Sequence, residues 1–444
     1  MKKILFFSFV FLMLLGINAY AEESYLVWLD DSIQTFSAEI KTQGDGFYTM
    51  GETELQECLE AGVVTKYIPN LPVTLYETAW NQEAIKVAFP QSIGCRGNGV
   101  TVAVIDSGIQ EIGVLEGRVL PGYNYIANSS DVTDHAGHGT FVSGIIAAGA
   151  DQCKILPLKC FEGSTTDLQY ILAAIYDAVV TCDVDVINMS FGFGRELEEL
   201  SEAERAEVIA TMNQYVSNAS SLGTLVVAAV GNDGDTLLHY PAACTDAVGV
   251  GAVDQSNSHC FFSQYNESVF VVAPGAGVVS TAIEGYTGDS GTSFAAPHVT
   301  ALAAIARSMN PDMTTAEFKA LLQNTATDLG ATGRDNYYGY GLLDCEAAVK
   351  ELMEGETIYI SPILQNGSRT DAVFYNNSQS DVVVSCIFAC YDGEDNLLSA
   401  PRVQTETIKA GKTFTYENTC QSGKPCFMAW KNLSVVQPLG ASRR

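Results

Sequence analysis

The sequence predicts an α/β fold: a parallel sheet flanked by helices, with a small α+β unit before it and an all-β unit after it. Two observations predict this. Between Glu77 and Leu352, short continuous apolar runs alternate with longer stretches at helical spacing, the pattern of strands buried on both faces and joined by crossover helices. After Glu354 the runs become short and β-prone, with turn residues between them, as in an antiparallel all-β unit. The 444 residues allow about three units at ~150 residues each.

The elements follow in order. Lys2 and Lys3 precede an apolar run from Ile4 to Ile17, and Ala19-Tyr20-Ala21 offers small residues for signal-peptidase cleavage. Residues 1–21 therefore read as a secretory signal peptide cut after Ala21. The run is short of the roughly 20 apolar residues that span a bilayer. The expectation is a secreted protein with no membrane attachment after signal cleavage. Residues 22–76 form a small unit: a strand Tyr25–Leu29, a helix Glu52–Ala61, a strand Val63–Tyr67, then Pro69 and Pro72, which break regular structure. Such a short unit buries little apolar surface and is marginal alone.

In the middle unit, 77–352, Val100–Ile105, Ile155–Lys159, Val184–Met189, Leu225–Val230 and Val248–Val253 read as buried strands. Leu168–Val180 and Glu202–Leu222 read as helices, the second stopped by Gly223. Thr314-Thr-Ala-Glu317 is a capping box that opens a helix to about Ala326. The last unit, 354–444, carries β-prone runs Thr357–Ile363, Ala372–Tyr375, Asp381–Tyr391, Arg402–Ile408, Lys412–Tyr416 and Cys426–Trp430 and reads as a sandwich.

The formal net charge is −29. So acidic a surface repels phosphate backbones and anionic lipid, which argues against nucleic-acid partners. Twelve cysteines in an exported chain permit disulfides, and no CxxC or Cys/His spacing suggests zinc. Cys420 and Cys426 flank a turn-rich stretch and could close a short loop. Cys386 and Cys390 would share one face of a strand. Cys244 and Cys345 sit among apolar residues and read as buried thiols.

Three clusters carry chemistry. Val102-Ala-Val-Ile-Asp-Ser-Gly108 ends a buried strand in a carboxylate. Asp134-His-Ala-Gly-His-Gly-Thr140 places a histidine where an apolar helix begins. Gly288-Asp-Ser-Gly-Thr-Ser-Phe-Ala-Ala-Pro-His298 places a serine at a glycine-rich helix start. Acyl transfer needs these three types together. A serine hydroxyl requires a base, imidazole suits that task near neutrality, and a buried carboxylate orients the ring and stabilises its cation. Ala228-Ala-Val-Gly-Asn232 ends a strand in a side-chain amide that could serve the oxyanion beside the Ser293 N–H. Taken singly, Asp106 could be a turn former and Ser293 a helix N-cap. Asp134, His135 and His138 could be read as part of a metal site, but no further close ligands support one, and neither a metal nor a cofactor is expected. His259 has no assigned role.

The blocks VAVIDSGI (102–109), HGTFVSG (138–144), VINMSFG (186–192), AAVGNDG (228–234), GTSFAAPHV (291–299) and GYGLLDCEAA (339–348) resemble the subtilase family, in its order Asp, His, Ser. The resemblance implies a subtilisin-like fold and a serine endopeptidase acting on protein or peptide substrates. Asp106 would be the orienting acid, His138 the base, Ser293 the nucleophile and Asn232 the oxyanion donor. Ser190-Phe191-Gly192 resembles the strand lining the primary specificity pocket. Phe161 to Ser164, with Gly163 and Ser164, resembles the edge that pairs with extended substrate. Residues 22–76 resemble the family's inhibitory propeptide, an intramolecular inhibitor removed by self-cleavage. His298 would be a core histidine behind the nucleophile helix. A binding protein on an inactive scaffold and an esterase are the alternatives. The complete set of catalytic residues argues against the first, and the absence of a G-x-S-x-G elbow against the second.

Two departures stand out. Many subtilases carry a calcium-binding loop inside the helix after the catalytic histidine, and Ile145 to Cys153 leaves no room for it. A disulfide from Cys153 to Cys182 could replace some of that stabilisation. His239 precedes Tyr240-Pro241 where the family often has a small residue. It could shorten the pocket, offer a donor, or be a surface histidine.

Overall fold

The computed structural model describes residues 79–361 without a break. On either side it describes residues 24–29, 47–51, 56, 58–61, 64–69, 364–366, 369–391, 398, 401–420, 424–430 and 438–441. The chain forms two compact units, Met1–Glu77 and Thr78–Arg444. In the first, Ser24–Leu29 lies between Phe47–Gly51 and Val64–Pro69, antiparallel to both. Residues 58–60 are helical, inside the predicted helix. The signal-peptide stretch and the expected cut near Tyr76 lie outside the described residues.

The second unit is built on seven strands. Their order is Val271–Pro274, Ala247–Val253, Leu225–Ala229, Val186–Met189, Thr101–Asp106, Lys154–Lys159, Tyr123–Asn124, and every pair is parallel. This is the α/β sheet that the alternating pattern predicts. Successive residues of the Thr101–Asp106 strand point to opposite faces. Val102 and Val104 join the core beneath the helices His138–Gly149 and Thr292–Met309. Ala103 and Ile105 join the core beneath Leu168–Tyr176 and Glu202–Ser221. The predicted helix over 168–180 widens into a π turn at Asp177–Thr181. Glu202–Ser221 stops at Gly223, whose φ of +92° suits glycine. The Thr314–Glu317 capping box forms as expected.

The C-terminal runs make two four-stranded antiparallel sheets. Ile358–Ile360, Leu364–Asn366, Arg369–Asn376 and Thr413–Thr419 form one. Val382–Tyr391, Arg402–Ile408, Lys424–Trp430 and Pro438–Ala441 form the other. Phe374 and Tyr416 from the first share a core with Phe388 and Phe427 from the second. This layer is joined to the α/β unit through Tyr375, edge-on to Phe89 with ring centres 5.8 Å apart, and through Tyr359, whose hydroxyl accepts from Cys95 Sγ at 3.2 Å.

The cysteine pairing differs from expectation. Cys390 bonds to Cys420 and ties one C-terminal sheet to the other. Cys426 stays free: it sits opposite Ala389 within a single sheet. Cys153 and Cys182 are both free as well. Cys153 is wholly buried, 3.2 Å from where a Gly97 Cβ would stand, whereas Cys182 is exposed. Burial pushes the Cys153 thiol up to about 12, which leaves it unreactive. Cys244 and Cys345 are buried thiols, as their apolar surroundings predict.

Candidate active site

The carboxyl ends of parallel strands converge at one rim, where α/β folds place their chemistry. Asp106 ends the Thr101–Asp106 strand, inside the sheet, and is 3% exposed. Its Oδ1 lies 2.8 Å from His138 Nδ1 and accepts the Ser107 N–H at 2.7 Å. His138 opens its helix, and Gly139 explains how the helix comes so close. A Cβ there would lie 2.2 Å from the Gly108 carbonyl oxygen. Burial alone would lower the His138 pKa. The Asp106 carboxylate outweighs it by charge and hydrogen bond, with smaller help from Asp134 and Asp289, so the pKa is raised.

Asp134 is wholly buried. It accepts from the Ser107 and Thr140 hydroxyls and from the backbone N–H groups of Ala136, Gly137 and Thr140, all at 2.7–3.0 Å. Burial pushes its carboxyl up, but these donors prevail and hold it below the usual range. Asp134 thus fixes the loop before His138 rather than facing a metal. Ser107 Oγ in turn accepts the Gly139 N–H at 2.9 Å. Sequence reasoning missed this layer, and the signal was present: an aspartate three residues before a glycine at a helix start is a common turn former.

It also missed Lys159, paired with Asp106 across the sheet. Lys159 is 1% exposed. Its Nζ donates to the Ser107 carbonyl at 2.6 Å and lies 3.3 Å from Glu162. Glu162 reaches His135 at 3.7 Å. Residues 161–164 form no strand, with bends at 162–164, and Phe161 packs on Phe191 with ring centres 5.3 Å apart.

Ser293 is the second residue of the Thr292–Met309 helix, where unpaired N–H groups and positive potential lie. Its hydroxyl donates to the Ser190 carbonyl at 2.8 Å, and Ser190 Oγ donates back to the Ser293 carbonyl at 2.7 Å. Asn232 Oδ1 accepts from Thr292 N and Oγ1 at 2.8 and 2.9 Å. With its oxygen occupied, Asn232 presents Nδ2, 3.6 Å from a Gly291 Cβ position. The Phe294 ring lies 5.6 Å from that of His138. Gly192 packs against His239, which is 9% exposed and so not a surface histidine. Five expected residues, Asp106, His138, Ser190, Asn232 and Ser293, therefore meet at one rim. Gly163 and Ser164 lie in the bend beside it.

The description "Subtilase family" matches residues 97–341, more than half of the chain. The chain belongs to the subtilase family. It is similar to alkaline elastase YaB of a Bacillus species, 35% identical over 299 residues, covering 66% of this chain and 76% of that protein. Subtilisin BL of Lederbergia lenta is 35% identical over 272 residues, 61% of this chain and 98% of that protein. Among solved structures, a lanthipeptide protease superposes with TM-score 0.57 at 26% identity, covering 62% of this chain and 94% of its own. This subtilase is thus a serine endopeptidase whose substrates are peptides.

The subtilase helix after His138 runs unbroken to Gly149. Its last carbonyls are taken by side chains. Gln91 Nε2 donates to Ala148 and Gly149 at 2.8 and 2.9 Å, and Arg118 donates to Ala147 at 3.0 Å. With these oxygens engaged by donors, this helix end does not fit the calcium site that the family often builds here. Among the described residues no His, Cys, Asp and Glu group clusters as metal ligands do. No helix of the described residues is long and apolar enough to cross a membrane.

Behind Ser293, His298 is 2% exposed. Its Nδ1–H donates to the Phe294 carbonyl at 2.8 Å, which leaves Nε2 to accept Asn81 Nδ2 at 2.9 Å. Burial lowers its pKa to about 4.

Proposed function

We propose that this subtilase hydrolyses peptide bonds through Asp106, His138 and Ser293, with an acyl-enzyme intermediate. The observation that carries this reading is the 2.8 Å contact of His138 Nδ1 with buried Asp106, on a rim shared with a serine at a helix N-terminus. The Asp106 contact fixes the proton on Nδ1, so Nε2 is free to take the serine proton. In the resting arrangement the Ser293 hydroxyl points to Ser190 O, and attack needs it to turn toward His138. The attacked carbonyl oxygen then gains charge, which Asn232 Nδ2 and the Ser293 N–H stabilise without reorganising. The same imidazolium returns its proton to the leaving amine, and water repeats the cycle.

Substrate lies extended along 161–164 and 190–192, where Gly163 and Gly192 let backbone approach backbone, and His239 borders its side chain. The chain is exported on residues 1–21. Residues 22–76 act as an intramolecular inhibitor until Ser293 cuts them away.

Labelling with a fluorophosphonate tests the chemistry: one adduct is expected on Ser293, and none in Ser293→Ala. An adduct elsewhere removes the assignment. The same variant should keep residues 22–76 attached. Trimming near Tyr76 in Ser293→Ala would assign processing to another protease.

A further inference from the structure

His239 sits between two strand ends. Phe193 and Tyr240 exchange two backbone hydrogen bonds of 2.9 Å, which fixes His239 beside Gly192. A Cβ on Gly192 would lie 3.3 Å from the His239 Cβ. One on Gly194 would lie 2.7 Å from its Cδ2, and one on Gly231 3.0 Å from its Nδ1. Glycines on both strand ends thus close around one imidazole, and the ring fills the space between them.

The ring is anchored from behind. Nε2 lies 3.1 Å from Asp233 Oδ2, an ion-pair contact rather than an aligned hydrogen bond. Asp233 is held by Arg195 Nε at 3.0 Å, and Arg195 also reaches Asp235 at 2.7 Å. With its proton on Nε2, on the side of the Asp233 carboxylate, the ring offers Nδ1 as an acceptor. Nδ1 faces Gly231 and Gly192 and makes no hydrogen bond among the described residues.

Both strand ends touch the nucleophile's helix start. The 190–192 end exchanges hydrogen bonds between Ser190 and Ser293. The 231–232 end binds Thr292 through Asn232. An acyl group with its carbon at Ser293 Oγ and its oxygen toward Asn232 therefore lies over the gap between them. The side chain on its α-carbon descends toward His239.

We propose that His239 sets the primary specificity of this peptidase, admitting only a small side chain before the scissile bond and favouring one, such as serine or threonine, that donates a hydrogen bond to Nδ1. The proposal rests on the Ser293 mechanism above. Exclusion comes from the filled volume and preference from the acceptor, so the two separate by substitution.

The test uses full-length, processed enzyme and peptides that differ only at the residue before the cut: alanine, serine, aspartate, leucine or phenylalanine. Fluorophosphonate titration gives the active fraction of each preparation. For the unaltered enzyme, kcat/KM should be about 10-fold higher for serine than alanine and about 100-fold lower for phenylalanine than alanine. His239→Gly should raise phenylalanine relative to alanine at least 10-fold. His239→Leu should keep phenylalanine out and lose the serine preference. Unaltered enzyme that cleaves after phenylalanine or leucine as well as after alanine overturns the proposal, even if neither variant folds. A best substrate with aspartate overturns the acceptor role. A normally labelled His239→Gly with an unchanged profile counts against His239 alone, whereas failure to label Ser293 in the unaltered enzyme counts against the mechanism beneath it.

Discussion

Two histidines sit on the two helices that pack together under this rim, and their surroundings drive them apart. His138 lies at a helix start, 36% exposed at its side chain, with Asp106 at 2.8 Å. His298 lies within the other helix, buried, with the Phe294 carbonyl and the Asn81 amide as partners. Both lose hydration. Only His138 has a carboxylate to stabilise its cation, so its pKa rises while that of His298 falls to about 4. Desolvation is common to both, and the partner decides the sign. One imidazole is ready to accept a proton; the other is kept neutral as a structural link between Asn81 and the Ser293 helix.

The largest way to break this contrast is to remove the carboxylate. Asp106→Asn should cut kcat about 10⁴-fold with the fold intact by circular dichroism, and should shift the acid limb of kcat/KM downward. A loss under 10-fold would remove Asp106 from the mechanism. In the unaltered enzyme that limb should lie above the ordinary imidazole range, because the base must be neutral and its pKa is raised.

Stability should show the opposite sign. The His298 pKa is depressed in the folded state, from 6.5 to about 4. As pH falls the unfolded chain takes up the proton first, so this stabilisation is present above about 6.5 and is lost toward 4. The loss is about 3 kcal/mol. Urea unfolding of Ser293→Ala, which cannot digest itself, should show that slope. His298→Gln in the same background should lack it. His138 contributes in the other direction, its share present at low pH and lost as pH rises through its raised pKa.

A third change tests the layer behind Asp106 and His138. Lys159→Met should leave the Ser107 carbonyl without its side-chain donor and cost about 1–3 kcal/mol, read as a lower urea midpoint. An unchanged midpoint would make Lys159 dispensable. The smallest effect is expected for Asn81→Ala, about 1 kcal/mol. It should also raise the His298 pKa, since the neutral ring loses its donor; NMR titration of that ring would show no change if Asn81 were idle.

The sequence made some of this legible and hid the rest for physical reasons. Val102 to Ile105 is buried on both faces, so it forms an unbroken apolar run that reads as a strand. The hairpin Val278–Thr281 and Tyr286–Asp289 was missed because its second strand is exposed throughout and carries no apolar signal. The residues proposed as catalytic stood out in the sequence because each ends a strand or begins a helix, where local sequence is distinctive. Their supports were not. Asn81 meets His298 across 217 positions, and Lys159 meets Ser107 only because two strands pair in one register. Cys390 and Cys420 were invisible as a pair for the same reason: which cysteines meet depends on how the two sheets stack.

The Gln91 contacts at the end of the His138 helix have a consequence of another kind. A bound ion stabilises a protein by mass action, so its contribution falls as the free ion is depleted. A side chain of the same polypeptide has no such dependence. At this helix end, dilution, dialysis or a chelator has nothing to withdraw, and the support for the His138 helix travels with the chain whatever the mineral content of its surroundings.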